Sequence, residues 1–412
     1  MSKIINIIDK KKLQSSTTFC PLPYIGLYYD MTDFISPCCI INTDHVEKVD
    51  AQKNFLENYN NNLMRDIRKS LSSNQQHPAC SHCWNAENVG MISLRQTWLN
   101  HIDDNFFNDI EIDENFYISD VNINYVDIRF NNKCNLKCRT CNPRFSNSWY
   151  KDYKLVIDEE YSEPKNIKIS YDVKKLKEVL RSANVFYFAG GEPLITDEHY
   201  EILELIKDRA KDIHLNYNTN FSSLKYKNFK VTDYWKFFNR VVVAASLDGN
   251  YKRGEYIRKN LKWSDVIKNR KILLEECPHV DFRISCTLSI MNAYNIVELH
   301  KEWLELGYIG INDFNVNLLF GPSAFCIKNL PDSHKNKLTD LYYRHIEWLD
   351  ENKANIDIKN MFQSAINLLK QTPDNDWKYD WSLKVEKLDL IRKEDFFKVF
   401  PEYIDLKEIN SN

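Results

Sequence analysis

From residue 120 to residue 320 the sequence repeats a short apolar strand followed by a helix, and this rhythm constrains the fold more than any other feature. The strands are read at residues 125–131, 185–189, 213–217, 240–245, 282–289 and 312–320. Alternation of this kind argues for a parallel sheet with right-handed crossovers. Six units predict an open, three-quarter barrel, a partial TIM-like (β/α)6 arrangement, rather than the closed eightfold one. Helix signals support the reading. A helix is predicted over 172–182, and another starts at Thr196 or Asp197, both good N-caps. Between the last two strands, Asn295 and Glu298 form a capping-box pattern, and Ile296, Leu299, Trp303 and Leu306 share one face before Gly307.

In barrels of this class the active residues sit at the carboxyl ends of the strands. Four polar or cysteine-bearing stretches fall there: Cys134-x3-Cys138-x2-Cys141, Gly190-Gly191-Glu192-Pro193, Asn218-Thr219-Asn220 and Ser246-Leu247-Asp248-Gly249. The cysteine triplet follows a strand in which Val126, Ile128 and Phe130 share one face and Asp127, Arg129 and Asn131 the other. Three thiolates on one short loop grip three corners of a cubane iron–sulfur cluster and leave the fourth iron without a protein ligand. A zinc site wants a fourth Cys or His at knuckle spacing, and none lies nearby.

The other cysteines divide by spacing. Cys38-Cys39 and Cys80-x2-Cys83 are grouped, with Cys20 not far upstream, whereas Cys277, Cys286 and Cys326 stand alone and read as inert core thiols. Residues 23–30 and 34–41 predict a β-hairpin, residues 53–72 a polar helix, and a further helix runs from about residue 84 through Leu99. This first unit brings together Cys20, one of Cys38 or Cys39, Cys80 and Cys83, a set able to hold a second cluster or a structural zinc ion, with His82 as an alternative nitrogen ligand. Beyond the barrel, helical patterns at 338–350, 356–371 and 390–400 dominate. The expected division is a cluster domain at 1–112, a barrel at 113–322 and a helical C-terminal extension at 323–412. A net charge of −3 gives no electrostatic case for nucleic acid, and no apolar run reaches the length of a membrane helix. With no signal-peptide pattern at the start, the expected location is the cytoplasm, where thiols stay reduced.

Taken together, the triplet, Gly190-Gly191-Glu192-Pro193 and Ser246-Leu247-Asp248-Gly249 resemble the radical S-adenosylmethionine superfamily. Cys80-Ser-His-Cys83-Trp84, with Glu87, Gly90, Ser93 and Arg95, is similar to its SPASM/twitch auxiliary-cluster module. Two departures stand out: Thr140 replaces a usual aromatic residue, and the module precedes the barrel instead of following it. The resemblance implies a 4Fe–4S cluster on Cys134, Cys138 and Cys141, S-adenosylmethionine on its open iron, and a second, auxiliary 4Fe–4S cluster. It implies an oxidoreductase-type enzyme that reductively cleaves S-adenosylmethionine to a 5′-deoxyadenosyl radical, which takes a substrate hydrogen. A one-electron donor such as flavodoxin or ferredoxin is the expected partner. The substrate is expected to be a peptide or protein; the alternatives are a small molecule, or a non-catalytic metal-binding scaffold.

Under this resemblance, Gly190 and Gly191 let the backbone approach the methionine ammonium, and Glu192 before Pro193, or carbonyls beside it, accepts from that cation. Asn218, Asn220, Ser246 and Asp248 suit ribose hydroxyls or substrate, although Asx and Ser side chains also cap turns. Arg258 suits a carboxylate or is a solvated charge. Trp84, Glu87 and Arg95 read as holding the module together, and His199 and His300 as surface or packing residues on helices.

Overall fold

The computed structural model describes residues 17–88, 92–100, 102, 106 and 112–409. Its principal sheet has eight strands: β1 (Gly26–Asp30), β2 (Phe34–Ser36), β3 (Tyr125–Ile128), β4 (Val185–Phe188), β5 (His214–Thr219), β6 (Arg240–Ala245), β7 (Asp281–Leu288) and β8 (Phe314–Leu318). Their order is β8-β7-β6-β5-β4-β3-β1-β2, and every neighbouring pair is parallel except β1–β2. The six predicted barrel strands therefore lie side by side in chain order. The predicted hairpin does not stand apart, because β1 pairs in parallel with β3, from Gly26 opposite Tyr125 to Tyr29 opposite Ile128. Burial explains the join: Leu27, Tyr29 and Ile35 enter the same apolar core as Val126 and Ile128.

Alternation along each strand separates two faces. Val126, Phe186, Leu215, Tyr217, Val243, Ile284 and Cys286 point into the core shared with the helices. Asp127, Tyr187 and Asn216 lie level with one another on the opposite, inner face, with Arg129, Asn218, Ser246 and Thr287 nearer the carboxyl ends. Among the described residues, no helix is long and apolar enough to cross a membrane.

Several predicted helices differ in extent. The 53–72 helix is two, Phe55–Tyr59 and Asn62–Ser72, because Asn54 and Asn61 each cap their own start. Between them, Asn60 binds the Ile118 backbone and Arg68 instead of continuing the helix. The 172–182 helix shortens to Lys177–Ser182. The 390–400 helix splits into Leu388–Arg392 and Phe396–Val399, with Lys393 left-handed between them at φ 54°. Ile296–Glu305 is a helix, but Asn295 has helical dihedrals and bonds the Glu298 carboxylate, so the capping box does not form.

Candidate metal centre and the strand ends around it

The cysteine loop leaves β3 and is wired to itself before it meets any neighbour. Asn132 donates to the carbonyls of Pro143 (2.9 Å) and Lys165 (3.0 Å), and its own side-chain oxygen accepts from Ile167. Ser146 and Ser148 donate to the Leu136 and Cys134 carbonyls, and buried Trp149 donates its indole N–H to the Cys138 carbonyl at 2.6 Å. Lys137–Cys138 pairs antiparallel with Arg258–Lys259, and this brings Arg258 Nη1 to 3.6 Å from Cys138 Sγ. Asn220 Nδ2 lies 3.9 Å from Cys134 Sγ.

Burial raises all three thiols: Cys134 and Cys138 go up, and Cys141 reaches about 12. At Cys138 burial is opposed by Arg258 and, more weakly, by Arg392. Buried thiols of this kind ionise when a cation binds them. Soft sulfur donors on one loop, with N–H groups directed at two of the sulfurs, fit an iron–sulfur cluster. No three His, Cys, Asp or Glu side chains among the described residues form a group suited to a lone metal ion.

The Gly190-Gly191-Glu192-Pro193 loop, at the end of β4, is joined to the cysteine loop by contact too close for a side chain. A Cβ on Gly191 would stand 2.2 Å from the Lys133 carbonyl oxygen, and the Glu192 N–H donates to that same oxygen at 2.7 Å. Gly190 adopts φ 112°, a backbone conformation that favours glycine. The Glu192 carboxylate is 2% exposed and turned inward, accepting from Thr219 Oγ1 (2.6 Å), Asn220 N (2.7 Å) and Leu194 N (3.1 Å). Its burial raises its pKa, and these three donors act against the rise. Glu192 therefore ties the loop to β5. Pro193 is buried and opens a short 3-10 turn.

The remaining predicted residues divide. Asn218 and Ser246 are half-buried at the ends of β5 and β6, on the inner face. Asn220 is committed to the cysteine loop through Asn135 (3.0 Å) as well as Cys134. Asp248, 1% exposed, pairs with Arg258 Nη2 at 2.8 Å and accepts from Thr287 N at 2.9 Å. Arg258 is thus a buried link between Asp248 and Cys138, not a solvated charge. Burial opposes its charge, but Asp248 and Cys138 prevail and raise its pKa. Buried Trp149, the serines at 146 and 148, and Asn132 were not singled out by motif, although all lie within the same stretch as the triplet.

A second set of thiols gathers on the other side of the hairpin. Cys20, Cys38, Cys80 and Cys83 line one cavity with Leu22, Pro37 and Trp84. Burial pushes Cys80 up to about 12 and raises Cys20 and Cys38, with neighbouring cysteines of the set adding to the rise in each. Cys39 faces away. It lies against Asp127 and Arg129 on the inner sheet face, where burial raises it to about 11 and Asp127 adds to the rise. His82 is exposed, outside the cavity lining. Arg95 holds this unit: it grips Glu87 through two nitrogens at 2.9 and 2.6 Å, donates to the Phe19 carbonyl, and lies 5.1 Å from the Trp84 ring. Gly90 lies outside the described residues. Cys277, Cys286 and Cys326 are buried, as are His199 and His300.

Three thiols follow the first barrel strand of an open parallel sheet, on a loop that the glycine loop after the next barrel strand touches at the Lys133 carbonyl. Residues 128–298 match the model of the Radical SAM superfamily. The chain is 24% identical over 233 residues to a GTP 3′,8-cyclase of Sulfurimonas denitrificans, covering 56% of this chain and 65% of that one. It is 30% identical over 103 residues to a GTP 3′,8-cyclase of Campylobacter lari, covering 25% and 29%. The chain thus spans less than two thirds of the length of these curated relatives. Similar solved structures include anSMEcpe with bound AdoMet and Cp18Cys peptide (22% identical, 54% and 59% covered, TM-score 0.37). Another is Streptococcus suis SuiB bound to precursor peptide SuiA (14% identical, 81% and 71% covered, TM-score 0.38).

Proposed function

We propose that this chain is a radical S-adenosylmethionine enzyme with an auxiliary iron–sulfur site, acting on a peptide or a small polar molecule held against the inner face of the sheet. The observation that carries the reading is the contact between the Cys134–Cys141 loop and the Gly190–Pro193 loop through the Lys133 carbonyl. It brings three thiols and a set of backbone carbonyls to one strand end. When bound, the cluster and S-adenosylmethionine supply a one-electron cleavage that yields a hydrogen-abstracting radical. The protein supplies position and shielding. Arg258 donates to Cys138 Sγ while Asp248 holds its guanidinium in place. Carbonyls of the glycine loop receive the methionine ammonium, and Asn218 and Ser246, half-buried on the inner face, take hydroxyl groups of cofactor or substrate.

Cys20, Cys38, Cys80 and Cys83 form the auxiliary site in this reading, and four thiolates suit a fully ligated 4Fe–4S cluster that passes electrons. Cys39, next in the chain to Cys38, reaches the inner face beside Asp127 and Arg129. The electron donor is a small one-electron carrier of the flavodoxin or ferredoxin class. The cyclase relatives favour a second reading, in which the substrate is a small molecule. Anaerobic reconstitution with iron, sulfide and reductant should yield 5′-deoxyadenosine from S-adenosylmethionine. Absence of that product in protein with a full cluster complement removes the enzyme reading and leaves a metal-binding scaffold.

A further inference from the structure

The C-terminal stretch after residue 376 returns to the cysteine loop and exchanges two arginines with it. Arg139, adjacent to Cys138 and 0% exposed, leaves the loop for the extension. Its Nη1 donates to the Lys384 carbonyl at 3.0 Å, its Nη2 binds Asp389 and, at 2.7 Å, Glu394, and its guanidinium lies 3.8 Å from the Tyr256 ring centroid. Arg392 comes the other way. Its Nε donates to Asp152 at 2.9 Å, and its guanidinium lies 4.6 Å from the centroid of Trp149, the residue that holds the Cys138 carbonyl.

The remaining nitrogens of Arg392 set it apart. Nη1 and Nη2 are both buried, and neither has a hydrogen-bond partner among the described residues. The side chain as a whole is 2% exposed. A guanidinium kept from water with two of its nitrogens unsatisfied is costly unless an anion meets it. The local charges leave room for one. Lys137, Arg139, Arg258, Lys259 and Arg392 stand around Cys138, against the carboxylates of Asp152, Asp248, Asp389 and Glu394. Five cations face these four carboxylates, and the buried Glu192 carboxylate lies on the Cys134 side, where Arg258 also acts on it. A cubane on three thiolates is an anion and becomes more negative when it takes an electron, and nearby charge sets its potential.

We propose that the C-terminal extension completes the cluster site, with Arg392 as a positioning residue whose two unsatisfied guanidinium nitrogens offset the charge the cubane gains on reduction. The inference rests on the triplet being the S-adenosylmethionine cluster site. Its sign follows directly: removing the cation disfavours the reduced cluster and lowers its potential. A merely structural arginine has no such effect, since Trp149 and Asp152 would hold the loop with any side chain that packs.

The test is an EPR-monitored redox titration of the full chain, anaerobically reconstituted, following the cluster whose signal responds to S-adenosylmethionine. In Arg392→Gln the reduced-to-oxidised ratio at a fixed potential should fall about tenfold, about 59 mV for one electron. Arg392→Lys, which keeps a charge but not the planar fork, should stay within about threefold of the original chain. Equal potentials in the original chain and both variants overturn the proposal. So does an equal loss of cluster in both variants, because packing and not charge would then be what matters. An original chain that takes up no S-adenosylmethionine-responsive cluster overturns the functional reading first, and this inference with it.

Discussion

Gly191→Ala is the smallest change that the site should not tolerate. The new methyl carbon would stand 2.2 Å from the Lys133 carbonyl oxygen and 2.8 Å from its carbon, with backbone on both sides of the contact. No rotamer relieves it, so the two loops must separate. Separation breaks the 2.7 Å bond from Glu192 N to the Lys133 carbonyl, worth about 1 kcal/mol. It also disturbs Glu192, a buried carboxylate whose three donors come from its own turn and from β5, and overpacking of a tight contact costs about 1–3 kcal/mol in its own right. The expected destabilisation is roughly 2–4 kcal/mol, with fewer irons retained at the triplet. Gly307→Ala is the control: φ is 66°, but nothing lies within 4 Å, so backbone strain of about 1 kcal/mol is all that is expected. Urea unfolding and iron content after reconstitution provide the comparison. If Gly191→Ala unfolds with Gly307→Ala and keeps full iron, the claim that this contact builds the site is wrong.

Other consequences are as specific. Cys38→Ser should lose the iron of the auxiliary site, whereas Cys39→Ser should keep it, as counted by iron and sulfide analysis; the reverse would reassign the ligand. Cys138→Ala should abolish cleavage of S-adenosylmethionine, while Cys83→Ala should still yield 5′-deoxyadenosine without completing turnover, and product analysis separates the two. Burial holds His199 and His345 down to about 3 and His300 to about 4, and a neighbouring imidazole contributes at His345. Below the unperturbed histidine pKa the unfolded chain then binds more protons than the folded one. Stability should be complete above about pH 6.5 and fall as pH drops towards the folded values, by roughly 1 kcal/mol per ring at about pH 5.5. Thermal melts across this range that show no decline would contradict the burial of these rings.

Much of the barrel was readable because each strand's apolar face and each following helix repeat a pattern local in sequence. The triplet and Gly190–Pro193 were readable as strand-end motifs, but the purpose of Glu192 and Asp248 was not. Both carboxylates have the polarity of ligand contacts, yet Glu192 bonds Thr219 and Asn220, and Asp248 bonds Arg258 and Thr287. Whether a strand-end carboxylate points outward or inward depends on the neighbouring strand, which no local pattern records. The choice between Cys38 and Cys39 had the same character. The two neighbours differ only in surroundings distant in sequence: Cys38 lines the cavity with Cys20, Cys80 and Cys83, and Cys39 lies against Asp127 and Arg129. The C-terminal extension was the least readable. Arg139 meets Asp389 and Glu394 across some 250 residues of intervening chain, and its charge in a cysteine loop gives no sign of that.

The central claim is that Cys134, Cys138 and Cys141 hold a cubane with one iron open to S-adenosylmethionine. Anaerobic EPR of the reduced protein, before and after adding that molecule, tests it most directly. A changed signal, lost in Cys138→Ala and retained in Cys83→Ala, is the predicted result. A reduced cluster whose spectrum is the same with and without S-adenosylmethionine would mean that no iron is open, and the account would be wrong at its foundation.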